Sequence, residues 1–200
     1  AEVRTDIVFF PVVSPLDLSS RDTLPPIIYR SDMIAGRLVP KPFSRKLEYF
    51  VDESGGIWFG HSEKYRILRR DLGGDTTLIF TLPAVPERVS EQEKLALVDT
   101  WTPGRRTPID QMLDEKPLLA RIIADDEGHV LVFPHLEGVP PGSAADFFDR
   151  GGVFLGRIKL PVVLELRPEP ICRGGRLVGI TKGEFDVPYV VALSLESTGE

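Results

Sequence analysis

The chain has 200 residues, 42% of them hydrophobic and 27% charged, and Lys+Arg 24 against Asp+Glu 30 leaves a net charge of −6. That balance excludes a disordered tail and a membrane bundle, and its sign disfavours binding of phosphate backbones by bulk charge. A single cysteine, Cys172, excludes an internal disulfide framework, and with three histidines a zinc site would need other ligands.

No stretch approaches eighteen apolar residues, so no membrane-spanning helix is expected. The opening Ala1-Glu2-Val3 carries no methionine and no basic-then-apolar signal, which reads as loss of an upstream segment or as a piece of a longer chain. Gly 18 and Pro 18 punctuate the sequence densely, as many short strands require.

In chain order, strands are expected at Val3–Phe10, Leu47–Val51, Gly56–Phe59, Tyr65–Leu68 and Thr77–Leu82. After an interruption they resume at Leu118–Ile123, Val130–Phe133, Phe154–Leu160, Val162–Leu166, Arg176–Ile180 and Tyr189–Leu195. Their alternation is imperfect, which suits strands buried on both faces. The interruption is a helical insertion over about 90–113. Ser90 with Glu93 forms a capping box, Leu95, Val98 and Trp101 are spaced to line one face, and Pro103-Gly104 stops the helix. Thr107 as N-cap and Pro108 at the first position start a short second helix over Pro108–Leu113.

An internal repeat organises the strands. Asp52-Glu53-Ser54-Gly55-Gly56 and Asp125-Asp126-Glu127-Gly128-His129 are both acidic turns between strands, 73 residues apart. Each is followed by a second hairpin signal, Asp71-Leu72-Gly73-Gly74 and Asp149-Arg150-Gly151-Gly152, now 78 apart. Aspartate bonds its own backbone, and glycine supplies the positive φ of a tight hairpin. The expected architecture is therefore all-β, with blade-like four-stranded meanders at about 47–82, 118–160 and 162–197 in a single domain over 1–200. Ala1–Phe10 would be the last strand of a unit whose beginning is absent. Repeated meanders of this kind build β-propellers, here of about three blades; the alternative is a β-sandwich with two similar hairpins.

Several stretches carry a resemblance. Gly56-Ile57-Trp58-Phe59-Gly60, Tyr65-Arg66-Ile67 and Asp71-Leu72-Gly73-Gly74-Asp75-Thr76 resemble a blade of the bacterial six-bladed β-propellers related to NHL repeats. Asp125–Gly128, Asp146–Gly152 and Leu155-Gly156-Arg157-Ile158 resemble the next, with Leu131 where tryptophan is common, and Asp186–Val191 resembles a C-terminal blade. The resemblance covers roughly 36–197; full-length members carry about three further blades upstream, often with an export signal, which implies that this chain is the C-terminal half or a half-length relative, in a periplasmic or extracytoplasmic setting.

Chemistry-bearing residues do not assemble into a motif. His61, His129 and His135 read as loop histidines. Asp52-Glu53 and Asp125-Asp126-Glu127 lack the calcium-loop pattern and read as hairpin turns. No Gly-x-Ser-x-Gly elbow is present, and the paired glycines precede no helix. Trp58 and Trp101 read as core and insertion anchors, and Cys172 as a buried strand residue. Lys64, Arg66, Arg69 and Arg70 form one basic cluster and Arg105-Arg106 another. They fit contact with an acidic partner or a membrane surface, or a solvated blade edge that opposes aggregation.

No catalytic, cofactor or metal residue is assigned. The expected function is a non-enzymatic protein-binding or scaffolding module, a structural subunit or extracytoplasmic interaction domain. Its open blade faces would be covered by a protein partner or by self-association, so that a free monomer is not its working form. The alternative is a propeller hydrolase, lyase or ligand sensor whose site needs blades outside this chain.

Overall fold

The computed structural model describes residues 4–9, 12–13, 22–23, 27–34, 37–40, 42–44, 47–71, 75–100 and 109–195. The chain divides into two compact units, Ala1–Leu47 with Ala84–Leu118, and Glu48–Pro83 with Leu119–Glu200.

In the first unit, β1 (Arg4–Phe9) precedes a two-residue ribbon, β2 (Val12–Val13) with β3 (Asp22–Thr23). A hairpin of β4 (Ile27–Ile34) and β5 (Arg37–Pro40) follows, giving the order β1-β4-β5. Among the described residues β1 is an edge strand of this sheet. Its six residues pair antiparallel with β4, a downstream strand that Arg30, Ser31 and Asp32 make hard to see as an apolar run.

The same unit holds α1 (Glu91–Thr100) and a 3-10 turn, Ile109–Gln111. The capping box forms: the Glu93 amide donates to Ser90 Oγ at 3.2 Å, and the Ser90 amide donates to Glu93 Oε2 at 2.9 Å. The inward stripe is not the expected one. Leu95 is exposed, and Glu93, Lys94, Leu97 and Val98 are the partly or fully buried positions. Trp101 lies outside the described residues, as do Arg105, Arg106, Thr107 and Pro108.

Ion pairs set the helix's rotation. Lys94 Nζ reaches Asp114, and Lys116 Nζ reaches Glu93 at 2.6 Å and Glu87 at 3.0 Å. The hydrogen bond from Lys116, supported by the Ser90 amide, holds the Glu93 carboxyl down at about 2.

The second unit begins with a four-stranded antiparallel meander in the order β6-β7-β8-β9. Its strands are β6 (Leu47–Val51), β7 (Ile57–His61), β8 (Arg66–Arg70) and β9 (Thr76–Thr81). A second meander repeats it as β10 (Leu119–Ala124), β11 (Val130–Pro134), β12 (Ala144–Phe148) and β13 (Phe154–Lys159). Segments 47–82 and 118–160 thus each fold as the expected four-stranded meander, and the fold is all-β with one helical insertion.

One turn builds these hairpins. Asp52, Asp125 and Asp149 each donate their amide to the carbonyl four residues on, Gly56, His129 and Val153, at 2.8–3.0 Å. Their Oδ1 atoms accept from the amides two residues on, Ser54, Glu127 and Gly151, and four residues on, Gly56, His129 and Val153. Asp71 makes the corresponding exchange with Asp75. The third residue after each of the first three aspartates is a glycine at positive φ: Gly55 at 82°, Gly128 at 86° and Gly152 at 79°. Side chains rarely adopt that conformation, so the glycine is required.

A β-bulge recurs too. The register shifts between Arg69 and Arg70 against β9, and between Phe147 and Phe148 against β13, again 78 residues apart. A bulge at equivalent places marks the two meanders as copies in backbone detail.

The final stretch forms three strands, β14 (Ile171–Arg173), β15 (Arg176–Lys182) and β16 (Pro188–Ser194), in that order. Val162–Leu166, expected as a strand, contributes one bridge, Glu165 to Ile180. Pro161, Pro168 and Pro170 remove ladder donors around it.

The second meander is covered on both faces. Toward the first, Phe148 stacks on Phe80 with ring centroids 4.6 Å apart, and Gly60 admits the Ile122 side chain. Toward the third sheet, Ile123, Leu131, Phe133 and Ala145 share a core with Leu164, Cys172 and Leu177. All five residues of β11 are consequently buried, which is why its sequence does not alternate.

Candidate interaction surface

Two polar sites knit the second unit together. Asp146 is fully buried and accepts from the Tyr65 hydroxyl at 2.6 Å and from Arg157 Nε at 2.5 Å and Nη2 at 3.0 Å. Burial, reinforced by the Asp146 charge, pushes the Tyr65 hydroxyl far above its ordinary range, so it stays a donor. The arrangement ties the loop after β7 to β12 and β13, and it is a structural clasp. Glu48 and Arg121, which occupy equivalent positions 73 residues apart, form a second buried pair at 3.1 Å.

The turn ends of the two meanders frame an open cleft of about 380 Å³. Carboxylates from Asp52 and Asp125 and guanidinium groups from Arg69 and Arg150 line it. The carboxylates are committed. Asp52 Oδ2 accepts from Trp58 Nε1 at 2.9 Å and from Arg69 Nε and Nη2 at 3.0 and 2.9 Å. Burial would raise the Asp52 carboxyl, but the bonds from Ser54, Arg69, Gly56 and Trp58 outweigh it and hold it below the usual carboxylate range. Asp125 Oδ2 faces His129 Nδ1 at 2.8 Å. Asp126 accepts from the Gly174 amide, and Arg173 reaches Glu53 at 3.3 Å, so the third sheet's turn is docked on the other two. Among the described residues no group of three or more His, Cys, Asp or Glu side chains is placed to hold a metal ion.

The basic cluster takes a different shape from the one the sequence suggests. Arg69 is drawn to Asp52 and packs 5.6 Å from the Trp58 ring centroid, which leaves Lys64 and Arg66 exposed and Arg70 half-buried. β8 lies between β7 and β9, so Arg66, Arg69 and Arg70 are not on a sheet edge. Trp58 is a core residue at 2% exposure. Cys172 is buried on β14; burial, with the charges of Asp125 and Asp126, pushes its thiol up to about 12, so it is protonated and unreactive near neutrality. His61 is exposed at the end of β7 and His135 is half-buried after β11.

The third sheet has one buried and one exposed face. Its inward residues Cys172, Leu177, Val191 and Leu193 enter the shared core. On the opposite face Ile171, Val178 and Ala192 lie abreast across the three strands, with Ile180 beside Val190. Ile171 is 65% exposed and Val190 70%. The adjoining hairpin tip presents Phe185 at 94% exposure and φ 62°, between Glu184 and Asp186, with Asp186 at φ 58°. A bulky residue held left-handed and in water is costly in both respects.

Sequence reading saw the apolar run in β16 but missed Ile171, Val178 and Phe185. In Arg176–Lys182 apolar residues fall on both parities, and the outward face cannot be told from the inward one without the register. Phe185 between two acids was the one local signal.

No protein-family model matches the chain. No curated protein matches it. Among solved structures it is similar to the crystal structure of a protein of unknown function from Bacteroides caccae, at 12% identity and a TM-score of 0.40, over 87% of this chain and 54% of that one. The chain spans about half the length of that structure.

Proposed function

We propose that this chain is a non-enzymatic protein-binding or scaffolding module of propeller-type blades, acting outside the cytoplasm, with the outward face of β14–β16 as its contact surface. The observation that carries the reading is the exposed row Ile171, Val178 and Ala192 with Val190 and Ile180 alongside. An apolar patch that continues across strands favours a protein contact. Stacking of consecutive meanders, with the middle one covered on both faces, supports the propeller part of the proposal. Phe185 at the hairpin tip would add an aromatic anchor of the kind that dominates interface energetics.

A photo-crosslinking amino acid at Val178, compared with one at the exposed loop residue Glu137, tests the reading in living host cells. The expected result is a discrete covalent protein adduct from position 178 that fades when Val190→Lys is added, and none from position 137. Equal adducts from both positions, or none from 178, would overturn it.

A further inference from the structure

The outer edge of β16 is built differently from the other last strands of the unit. β9 and β13 are each separated from their neighbour by a bulge, and β13 carries Arg157 and Lys159. Bulges and charges are the devices that keep a sheet edge from pairing. β16 has neither: it runs seven consecutive pairs with β15 without a shift, and Pro188–Ser194 contains no charged residue. Its proline stands at the first position, where it does not interrupt the strand. Among the described residues no strand pairs with its far side.

The ladder fixes which groups that edge offers. The Gly183 amide donates to Val187 and the Leu195 amide to Gly175, so the odd-numbered residues from 187 to 195 exchange bonds with β15. Val190, Ala192 and Ser194 then turn both amide and carbonyl outward, and their side chains are exposed. Among the described residues the first two sheets of the unit have four strands and the third has three.

We infer that the β16 edge pairs antiparallel with β16 of a second copy of this chain, joining two three-stranded sheets into one of six strands across a two-fold axis. This deepens the protein-binding reading and rests on it. An uncharged strand can face itself without setting like charges opposite each other, so the edge is self-complementary. Two-fold pairing also merges the two outward apolar faces into one, with Val190 and Ala192 of each copy beside the seam. Among the described residues each copy has one such edge, so the assembly closes at a dimer.

Sedimentation of the intact chain from about 1 to 100 µM tests this, the range in which a modest apolar interface dissociates. The wild-type chain should approach twice its 22.3 kDa mass as concentration rises. Ala192→Pro removes an edge-facing amide that β15 does not use, and Val190→Lys places two like charges at the seam. Each should weaken association roughly tenfold or more while circular dichroism and the melting temperature hold. A wild-type chain that stays monomeric over the whole range overturns the inference, as does a dimer indifferent to both substitutions or a ladder of larger species. If the chain is monomeric yet position 178 still crosslinks to another protein, self-pairing falls and the protein-binding reading stands. If position 178 gives no adduct while the dimer forms and dissolves as described, the reverse holds.

Discussion

Strands β11 and β16 are both apolar at nearly every position, and the structure treats them oppositely. In Val130–Pro134 each residue is buried, because the sheets on either side cover both faces. In Pro188–Ser194 five of seven residues are exposed, because one face and one edge have no neighbour among the described residues. The same composition is core in one place and surface in the other. What differs is the number of sheets stacked against it.

That contrast predicts a graded response to substitution. The largest effect belongs to the clasp that holds the second meander to the first. Asp146→Ala leaves the Tyr65 hydroxyl without its acceptor and Arg157 without its counter-ion, and should cost about 4 kcal/mol in urea unfolding. Leu131→Ala follows at about 3 kcal/mol, since it opens a cavity in the core shared by the second and third sheets. Equal tolerance of Leu131→Ala and a β16 surface substitution would erase the distinction between the two strands.

Next come the turns. Asp52→Asn keeps the shape but loses the charge that Arg69 pairs with, and should cost about 1–2 kcal/mol near neutrality. The Asp52 carboxyl has a depressed pKa in the fold, so its contribution is fully present above the unfolded carboxylate pKa and is lost as pH falls through the folded value. The acid limb of the stability profile, below about pH 4, should therefore be shallower in Asp52→Asn than in the wild type. An identical limb would show that Asp52 carries no linkage. In the first unit, Ser90→Ala removes the N-cap of α1 and should lower stability by about 1 kcal/mol. The smallest effect is expected from Val178→Ser on the open face, within about 0.5 kcal/mol in a thermal melt of the monomer.

Much of the repeat was legible because its turns are local chemistry. Asp52, Asp125 and Asp149 with their glycines name the hairpins directly, and the offsets of 73 and 78 gave the loop length between them. The capping box of Ser90 and Glu93 was equally local. Features set by distant partners were not legible. Leu95 looked like part of the inward stripe of α1, but ion pairs of Lys94 and Lys116 with residues about twenty positions away turn the helix so that Leu95 faces water. The basic cluster on β8 looked like a sheet edge because sequence cannot give strand order. Arg69 belongs instead to Asp52, seventeen residues upstream. The fourth strand of the last sheet was expected from Val162–Leu166, and the prolines around it were the overlooked counter-signal. The proposed contact face was half legible: its apolar strand was visible, its facing was not.

Residue-resolved amide hydrogen exchange, followed as chain concentration is raised, tests most directly the claim that the third sheet is the uncovered, partner-seeking side. At low concentration the amides of Val190, Ala192 and Ser194 should exchange fast while those of Tyr189, Val191 and Leu193, bonded to β15, and those of β11 stay protected. At high concentration the first three should become protected as well, with β11 unchanged. Protection of Val190, Ala192 and Ser194 already at the lowest concentration would mean that the chain covers this edge itself, and would contradict the account.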